Sequence, residues 1–249
     1  PSVAFTDRPW AYATRWRLGL DVVPLGCPTC ENARVIGAVP CGALLDRLGD
    51  HAAACDTGVW RNFRHKTIAD IHADMFATLY APVVRREAYV AEMSNPQDGE
   101  AWMDLWVSGL PEFQDLLADI TVRHPACPRY QPAAAAVNGS AAAFAAAEKR
   151  RRYPPAAGRQ VTPLARETWG RLGDDAEDLL ARCQAVATRL AHRAGRNPPA
   201  FLKHWRPVFD AALARAIASQ LHFAAAGTPG RPRVRRPPLC SSEGACPLP

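Results

Sequence analysis

The chain has 249 residues, 48% of them hydrophobic and 22% charged, with 30 Lys and Arg against 24 Asp and Glu, which gives a net charge of +6. The hydrophobic content is sufficient for a core, and the length suggests one large domain or two small ones. No uninterrupted apolar run reaches the roughly 18 residues that a membrane span requires, and no secretory leader is visible. Eight cysteines in a chain of this length are not the pattern of a small disulfide scaffold.

The segments, taken in chain order, predict helices and strands in alternation and therefore an α/β fold. Residues 1–26 predict a short helix or the end of an upstream region, and residues 27–56 are rich in cysteines and turn residues. The helical spacing of Ile68, Ile71 and Met75 predicts a helix over 64–79. Strands are predicted at Tyr89–Met93, Ala101–Val107, Leu116–Val122 and Val161–Thr168, and later helices at 140–152, 174–194 and 200–226. The Pro- and Arg-rich residues 227–249 predict a disordered tail.

Four cysteines and one histidine are concentrated at the start of the chain. They are Cys27, Cys30, Cys41, His51 and Cys55. Thiolate and imidazole ligands favour zinc, and the His51-x3-Cys55 spacing is that of a zinc knuckle. The preferred set of ligands is Cys30, Cys41, His51 and Cys55, and in the alternative set Cys27 replaces Cys41. The other interpretation is that the cysteines are ordinary free thiols.

Two aspartates lie on neighbouring predicted strands. Period-two alternation places Met103 and Leu105 toward the core and Asp104 on the other side, while Asp119 takes the open side of the next strand. The turn residues between the strands predict a hairpin, which would bring the two carboxylates close together. Such a pair can share Mg²⁺, the basis of metal-dependent phosphodiester hydrolysis. The alternative is a pair of simply solvated carboxylates.

A basic run ends the helix predicted at 140–152. Together with Arg123, the residues Lys149, Arg150, Arg151 and Arg152 could follow a phosphate backbone. A solvated helix face explains the same run without a ligand.

The order of these motifs resembles the C-terminal region of non-LTR retrotransposon polyproteins. His51-x3-Cys55, Arg64-His65, Asp104-Leu-Trp, Asp119-Ile-Thr-Val-Arg-His-Pro and Lys149-x3-Tyr153 follow one another in the chain. In that family a cysteine-histidine knuckle comes after the reverse transcriptase and before a restriction-like endonuclease of the PD-(D/E)XK type. The resemblance covers roughly residues 27–170.

The resemblance implies a small restriction-endonuclease-like mixed sheet flanked by helices, with an N-terminal zinc knuckle and C-terminal helices. Residues 1–26 would end the polymerase region, 27–56 would form the knuckle and 57–226 the nuclease. The implied catalytic residues are Asp104, Asp119, Lys149 and Tyr153, with Mg²⁺ or Mn²⁺ on the two aspartates and structural zinc in the knuckle. The implied partners are target DNA and retroelement RNA, and the implied location is the nucleus.

The chain departs from the family pattern at three positions. Met103 replaces the proline of the Pro-Asp motif, Thr121 stands where a standard (D/E)XK lysine would be, and Ala38 occupies a knuckle cysteine position. The further acidic residue is left open between Asp74, Glu87 and Glu92. These departures suit the main alternative, a catalytically decayed nucleic-acid-binding module. A third possibility is a helical interaction scaffold in which the 174–226 helices are the working part.

Overall fold

The computed structural model describes residues 7–23, 29–33, 38–79, 83–96, 98–110 and 113–226, which contain seven α-helices and four β-strands. The helices are α1 (Asp7–Arg17), α2 (Asp50–Ala54), α3 (Val59–Thr78), α4 (Gln131–Ala136), α5 (Ser140–Arg152), α6 (Asp174–Arg193) and α7 (Phe201–Ala226). The strands are β1 (Val83–Tyr89), β2 (Trp102–Leu110), β3 (Phe113–Arg123) and β4 (Val161–Glu167). None of the helices in these ranges is long and apolar enough to cross a bilayer.

The strands form one mixed sheet in the order β1-β2-β3-β4. β1, β2 and β3 are antiparallel neighbours, whereas β3 and β4 run parallel and are connected through α4 and α5. β4 lies at the edge of the sheet, where Pro163, which has no backbone N–H, is tolerated. The predicted α/β class, a mixed sheet flanked by helices, is therefore confirmed.

Helices cover both faces of the sheet. On one face, Leu105, Ile120 and Leu164 join Phe76 of α3 and Phe209 of α7 in the main core, which also contains residues of α6. On the other face, the α5 alanines at positions 142, 145 and 146 lie against Ala165 of β4. Methyl side chains allow a helix backbone to approach a strand closely, which accounts for the alanine-rich sequence of α5.

The second face of β3 is consequently not open to solvent as predicted. Leu117, Asp119 and Thr121 are all buried, with at most 5% of each residue exposed. Helix α5 contacts β3 on this side, and its Lys149 reaches Asp119. The prediction of a wet strand face was wrong because it counted strands alone and not the helix that follows them.

The alternation predicted for β2 is interrupted at Asp104. Leu105 belongs to the main core, but Met103 packs with Leu117 in a second buried cluster. The interruption lies opposite Glu87 of β1, which has a φ of 48°. In the pairing of the two strands, Glu87 falls between Arg86, the partner of Leu105, and Ala88, the partner of Met103. A left-handed residue within a strand breaks the regular pleat, so Met103 and Leu105 do not share one face.

Helix α7 packs against the N-terminal third of the chain, since α1, α2 and α3 all contact it. Gln220 of α7 donates a hydrogen bond to the carbonyl of Ala52 (2.7 Å) and accepts one from Arg64 (3.0 Å). Gly49, with a φ of 80°, precedes α2 at a point where a Cβ atom would lie 2.6 Å from Leu221. Residues on both sides of the predicted 56/57 boundary therefore contribute to one core.

Most predicted elements are confirmed to within a few residues, including the β2–β3 hairpin and the helices α5, α6 and α7. The strand predicted at Tyr89–Met93 is wrong, because β1 ends at Tyr89 and Ala91–Met93 form a 3₁₀ turn. The buried Val90 and Met93 produced an apolar pattern typical of a strand, whereas the actual strand contains the charged run 85–87. The predicted tail at 227–249 lies outside the described residues.

Candidate functional site

A short backbone turn brings two of the predicted zinc ligands together. The amide of Cys30 donates to the carbonyl of Ala43 (2.8 Å), and the amide of Gly42 donates to the carbonyl of Cys30 (3.0 Å). The carboxylate of Asp46 accepts hydrogen bonds from the amides of Asp50 (2.9 Å) and His51 (2.7 Å), which satisfies donors at the start of α2. These bonds fix the first turn of α2 and with it the backbone of His51.

The ligand atoms of Cys30, Cys41, His51 and Cys55 all lie within 4.8 Å of one another. The sulfurs of Cys30 and Cys55 are 3.8 Å apart, and Cys41 Sγ is 3.5 Å from His51 Nε2. Tetrahedral zinc with a Zn–S bond of about 2.3 Å separates two sulfurs by about 3.8 Å, and sulfur from nitrogen by about 3.5 Å. The preferred set of four therefore has the spacing of a closed zinc site, while Cys27 lies outside the described residues.

The protonation of the cluster shows why it suits a cation. The hydrogen bond from Cys30 to Cys55 raises the pKa of Cys30 and lowers the pKa of Cys55. A hydrogen bond with Cys55 likewise raises the pKa of His51. Negative charge thus collects on Cys55 and is balanced by a proton on its neighbours. A zinc ion would replace that proton and allow the thiols to ionise.

Asp104 and Asp119 lie where β2 and β3 separate. The pairing of these strands ends at Leu105, which follows Asp104, and at Ala118, which precedes Asp119. Beyond that point the amide of Ile120 donates to Asp104 Oδ2 (2.5 Å). The two carboxyl groups are within hydrogen-bonding reach of each other. The predicted proximity of the two aspartates is therefore present in the structure.

Lys149 extends from the last turns of α5 to the aspartates. Its Nζ lies 2.7 Å from Asp119 Oδ1 and 2.9 Å from Oδ2. The Tyr153 ring is 6.0 Å from the same ammonium group and is buried in the second cluster. Burial raises the pKa of Tyr153, so its hydroxyl stays protonated at neutral pH. All four residues of the predicted catalytic set thus lie near one another.

The two aspartates differ in their electrostatics. Burial raises the pKa of Asp119 to about 6, and the nearby Asp104 adds to this rise, although Lys149 opposes it. Burial would raise the pKa of Asp104, but the hydrogen bond and charge of His65, together with the Ile120 amide and the charge of Lys149, outweigh it and lower that pKa. Asp119 therefore carries a negative charge that its protein surroundings balance incompletely. This is the electrostatic condition in which a divalent cation binds favourably.

His65 is the site residue that the sequence did not assign. Its Nε2 lies 2.8 Å from Asp104 Oδ1, so Asp104 is held by His65 on one oxygen and by Ile120 on the other. The contact joins α3 to β2 across 39 positions of sequence. The Arg64-His65 pair enters the sequence argument only through the motif order, and no local pattern links it to Asp104.

The predicted nucleic-acid-binding arginines have different surroundings. Arg123 pairs with Glu148 (3.6 Å), and Arg150 pairs with Asp175 (2.5 Å). Arg151 and Arg152 are exposed on α5, where the Arg152 guanidinium lies 5.1 Å from the ring of Tyr153. Arg123 and Arg150 thus already have a carboxylate partner. The pairing weakens in particular the prediction that Arg150 binds nucleic acid.

The candidates for a further acidic residue are not drawn into the site. Glu92 pairs with Arg159 at 3.6 Å, while Asp74 and Glu87 are exposed. Comparison with models of known families, with characterised proteins and with solved structures gives no match for this chain.

Proposed function

We propose that the chain is a metal-dependent DNA endonuclease with a restriction-like fold, as its resemblance to retrotransposon polyproteins implies. The observation that carries the proposal is the meeting of Asp104, Asp119 and Lys149 where β2 and β3 separate. These residues come from three elements and span 46 positions of sequence, yet their charged groups converge. The Lys149–Asp119 pair, with only 4% of the Asp119 side chain exposed, has the desolvated character common at catalytic sites.

Each residue has a defined part in this proposal. Asp104 and Asp119 would hold Mg²⁺ or Mn²⁺, and His65 and the Ile120 amide orient Asp104 for that purpose. The bound metal would lower the pKa of a water molecule and offset charge on the phosphate. Lys149 places a positive charge beside Asp119, where it can donate a hydrogen bond to a phosphate oxygen. Hydrolysis breaks one P–O bond, and the resulting 3′ hydroxyl would prime reverse transcription at a nuclear target site.

The zinc knuckle has a structural part in the same proposal. A closed set of four protein ligands leaves no position for substrate, so zinc at Cys30, Cys41, His51 and Cys55 would stabilise the fold and not catalyse. The proposed partners are nucleic acids. DNA would bind at the nuclease site, and retroelement RNA would be bound at other steps of the retroelement's replication.

A plasmid-nicking assay tests the proposal. The purified chain should convert supercoiled plasmid to open circles in Mg²⁺ or Mn²⁺, and Asp104→Asn or Asp119→Asn should slow this by on the order of 10³-fold. Asp115→Asn is the matched control, because Asp115 is also on β3 but pairs with Arg159 (3.3 Å) outside the site. The control should nick at the wild-type rate.

A catalytically decayed binding module remains the second candidate. The observation that favours it is Thr121, which is buried at the standard lysine position and offers no positive charge. Folded, zinc-loaded protein that binds DNA but nicks none in either metal would establish the binding module and exclude the endonuclease.

A further inference from the structure

A polar cavity of about 270 Å³ lies between the zinc knuckle and the end of β3. Four arginines from separate parts of the chain line it, and we call it the arginine cavity. They are Arg61 and Arg64 of α3, Arg123 of β3 and Arg129 before α4. The backbone that follows His51 in α2 forms another wall through Ala53 and Ala54.

The positive charge of the arginine cavity exceeds the negative charge around it. Arg61 pairs with Asp56 at 2.8 Å, whereas Arg123 and Arg129 share the single carboxylate of Glu148. The Nε atom of Arg123 is buried without a hydrogen-bond partner. Two carboxylates thus face four guanidinium groups, which leaves an excess of about two positive charges.

Arg64 contributes one of these uncompensated charges, because its guanidinium is buried and bonds to neutral oxygens. It donates to the carbonyl of Ala53 (2.9 Å) and to the side-chain oxygen of Gln220 (3.0 Å). Burial, together with repulsion by Arg61 and Arg123, lowers the pKa of Arg64 to about 10. At neutral pH Arg64 is still charged. An anion in the cavity would therefore reduce the repulsion among the arginines, which the protein's own carboxylates do not fully neutralise.

We infer that the arginine cavity binds one backbone phosphate of duplex DNA. Guanidinium groups match the oxygens of a phosphate in pairs, and the cavity is smaller than the roughly 300–1,000 Å³ of typical small-molecule sites. It therefore fits a single phosphate of a longer polymer better than a free nucleotide.

The position of the cavity selects DNA as the polymer, and in this choice the inference rests on the proposed function. Arg123 follows Asp119 by four residues on β3, about 13 Å at roughly 3.3 Å per residue. A duplex rises about 3.4 Å per base pair, so this distance spans about four steps. A duplex held with one phosphate at the proposed metal site of Asp104 and Asp119 would thus present another near the arginine cavity.

The test measures DNA binding apart from cleavage. The affinity of the full chain for a fluorescent duplex is measured by anisotropy at several salt concentrations, without divalent metal and without chelator. Arg61→Gln combined with Arg129→Gln removes two exposed arginines of the cavity. The double variant should bind about eightfold more weakly at 0.1 M salt, and the slope of log K against log salt should fall by about 1.

The control is Arg206→Gln combined with Arg215→Gln, which changes the net charge equally. Arg206 resembles Arg61 closely, with 44% against 42% of the side chain exposed and one carboxylate partner each. Both double variants should keep the wild-type zinc content and melting temperature.

The inference is overturned if the cavity variant binds with the control's affinity and salt slope. Because nothing is cleaved in this assay, a failure of the nuclease proposal would leave the binding result unaffected. Conversely, if the cavity variant binds DNA as the wild type does, the arginine cavity does not contribute to binding. That result would leave the nuclease proposal itself unaffected.

Discussion

Asp119→Asn is expected to make the metal-free protein more stable while abolishing nicking. Burial holds the pKa of Asp119 at about 6 in the folded state, against 3.8 for an ordinary aspartate, despite the attraction of Lys149. The ionised carboxylate is therefore disfavoured by folding. Asparagine has nearly the same shape and no charge, so it removes this unfavourable contribution.

The magnitude follows from the difference between the two pKa values. Each pKa unit corresponds to about 1.36 kcal/mol, so ionised Asp119 destabilises the fold by about 3 kcal/mol at pH 8. Because the folded pKa is raised, the cost is absent below about pH 4, grows with rising pH and is complete above about pH 6. At pH 5 it amounts to about 1.6 kcal/mol. For a chain of this size, about 3 kcal/mol raises the melting temperature by about 6–12 °C.

The assay is thermal unfolding of wild type and Asp119→Asn at pH 5 and pH 8, without Mg²⁺. Both proteins carry the same cysteine-histidine cluster, so the effects of pH on any zinc bound there cancel in the comparison. The advantage of the variant should about double between the two pH values. Adding Mg²⁺ should then stabilise the wild type alone, because only it retains both carboxylates.

A lower melting temperature for Asp119→Asn at pH 8 would refute this reasoning. It would mean that Asp119 and Lys149 form a structural ion pair whose removal leaves a buried lysine unpaired. Asp115→Asn again serves as the control and should not gain stability with rising pH.

Three further predictions concern neighbouring side chains. Cys55→Ser should lose zinc and several kcal/mol of stability, measured by metal content and thermal unfolding, whereas Cys127→Ser, outside the cluster, should change neither. Lys149→Met should slow nicking by on the order of 10²-fold with DNA affinity nearly unchanged, and an unchanged rate would show that another group assists. His65→Ala should raise the pKa of Asp104, since the histidine helps to lower it, and should move the acidic limb of the pH–rate profile to higher pH. A profile that stays in place would contradict the positioning role of His65.

The candidate zinc ligands could be identified from sequence because their geometry is local. Cys41, His51 and Cys55 are separated by short spacers, and the turn before His51 reverses the chain within ten residues. That turn was the basis for preferring Cys41 over Cys27 as a ligand. The sequence could not show that Asp46 fixes the turn, since this depends on backbone positions.

The sequence predicted which residues form the candidate catalytic site, but not the environment around their side chains. The period-two pattern placed Asp104 and Asp119 on adjacent strands, and the motif order added Lys149. The burial of Asp119 and the contact of His65 with Asp104 depend on how α5 and α3 pack on the sheet. Contacts between distant elements leave no periodic pattern, so neither feature could be deduced from the sequence.

The position of α7 also has a consequence for the order in which the protein forms during synthesis. Helices α1, α2 and α3 contact α7. The described segment that contains α3 ends at residue 79, whereas α7 is complete only at residue 226, which is 147 residues later. At about 5–20 residues per second, the ribosome needs roughly 7–30 seconds to make that stretch. Throughout this interval the apolar sides of α1–α3 lack their partner. Zinc bound to the cysteine-histidine cluster, all of whose ligands are synthesised by residue 55, would be the earliest source of fixed structure in the nascent chain.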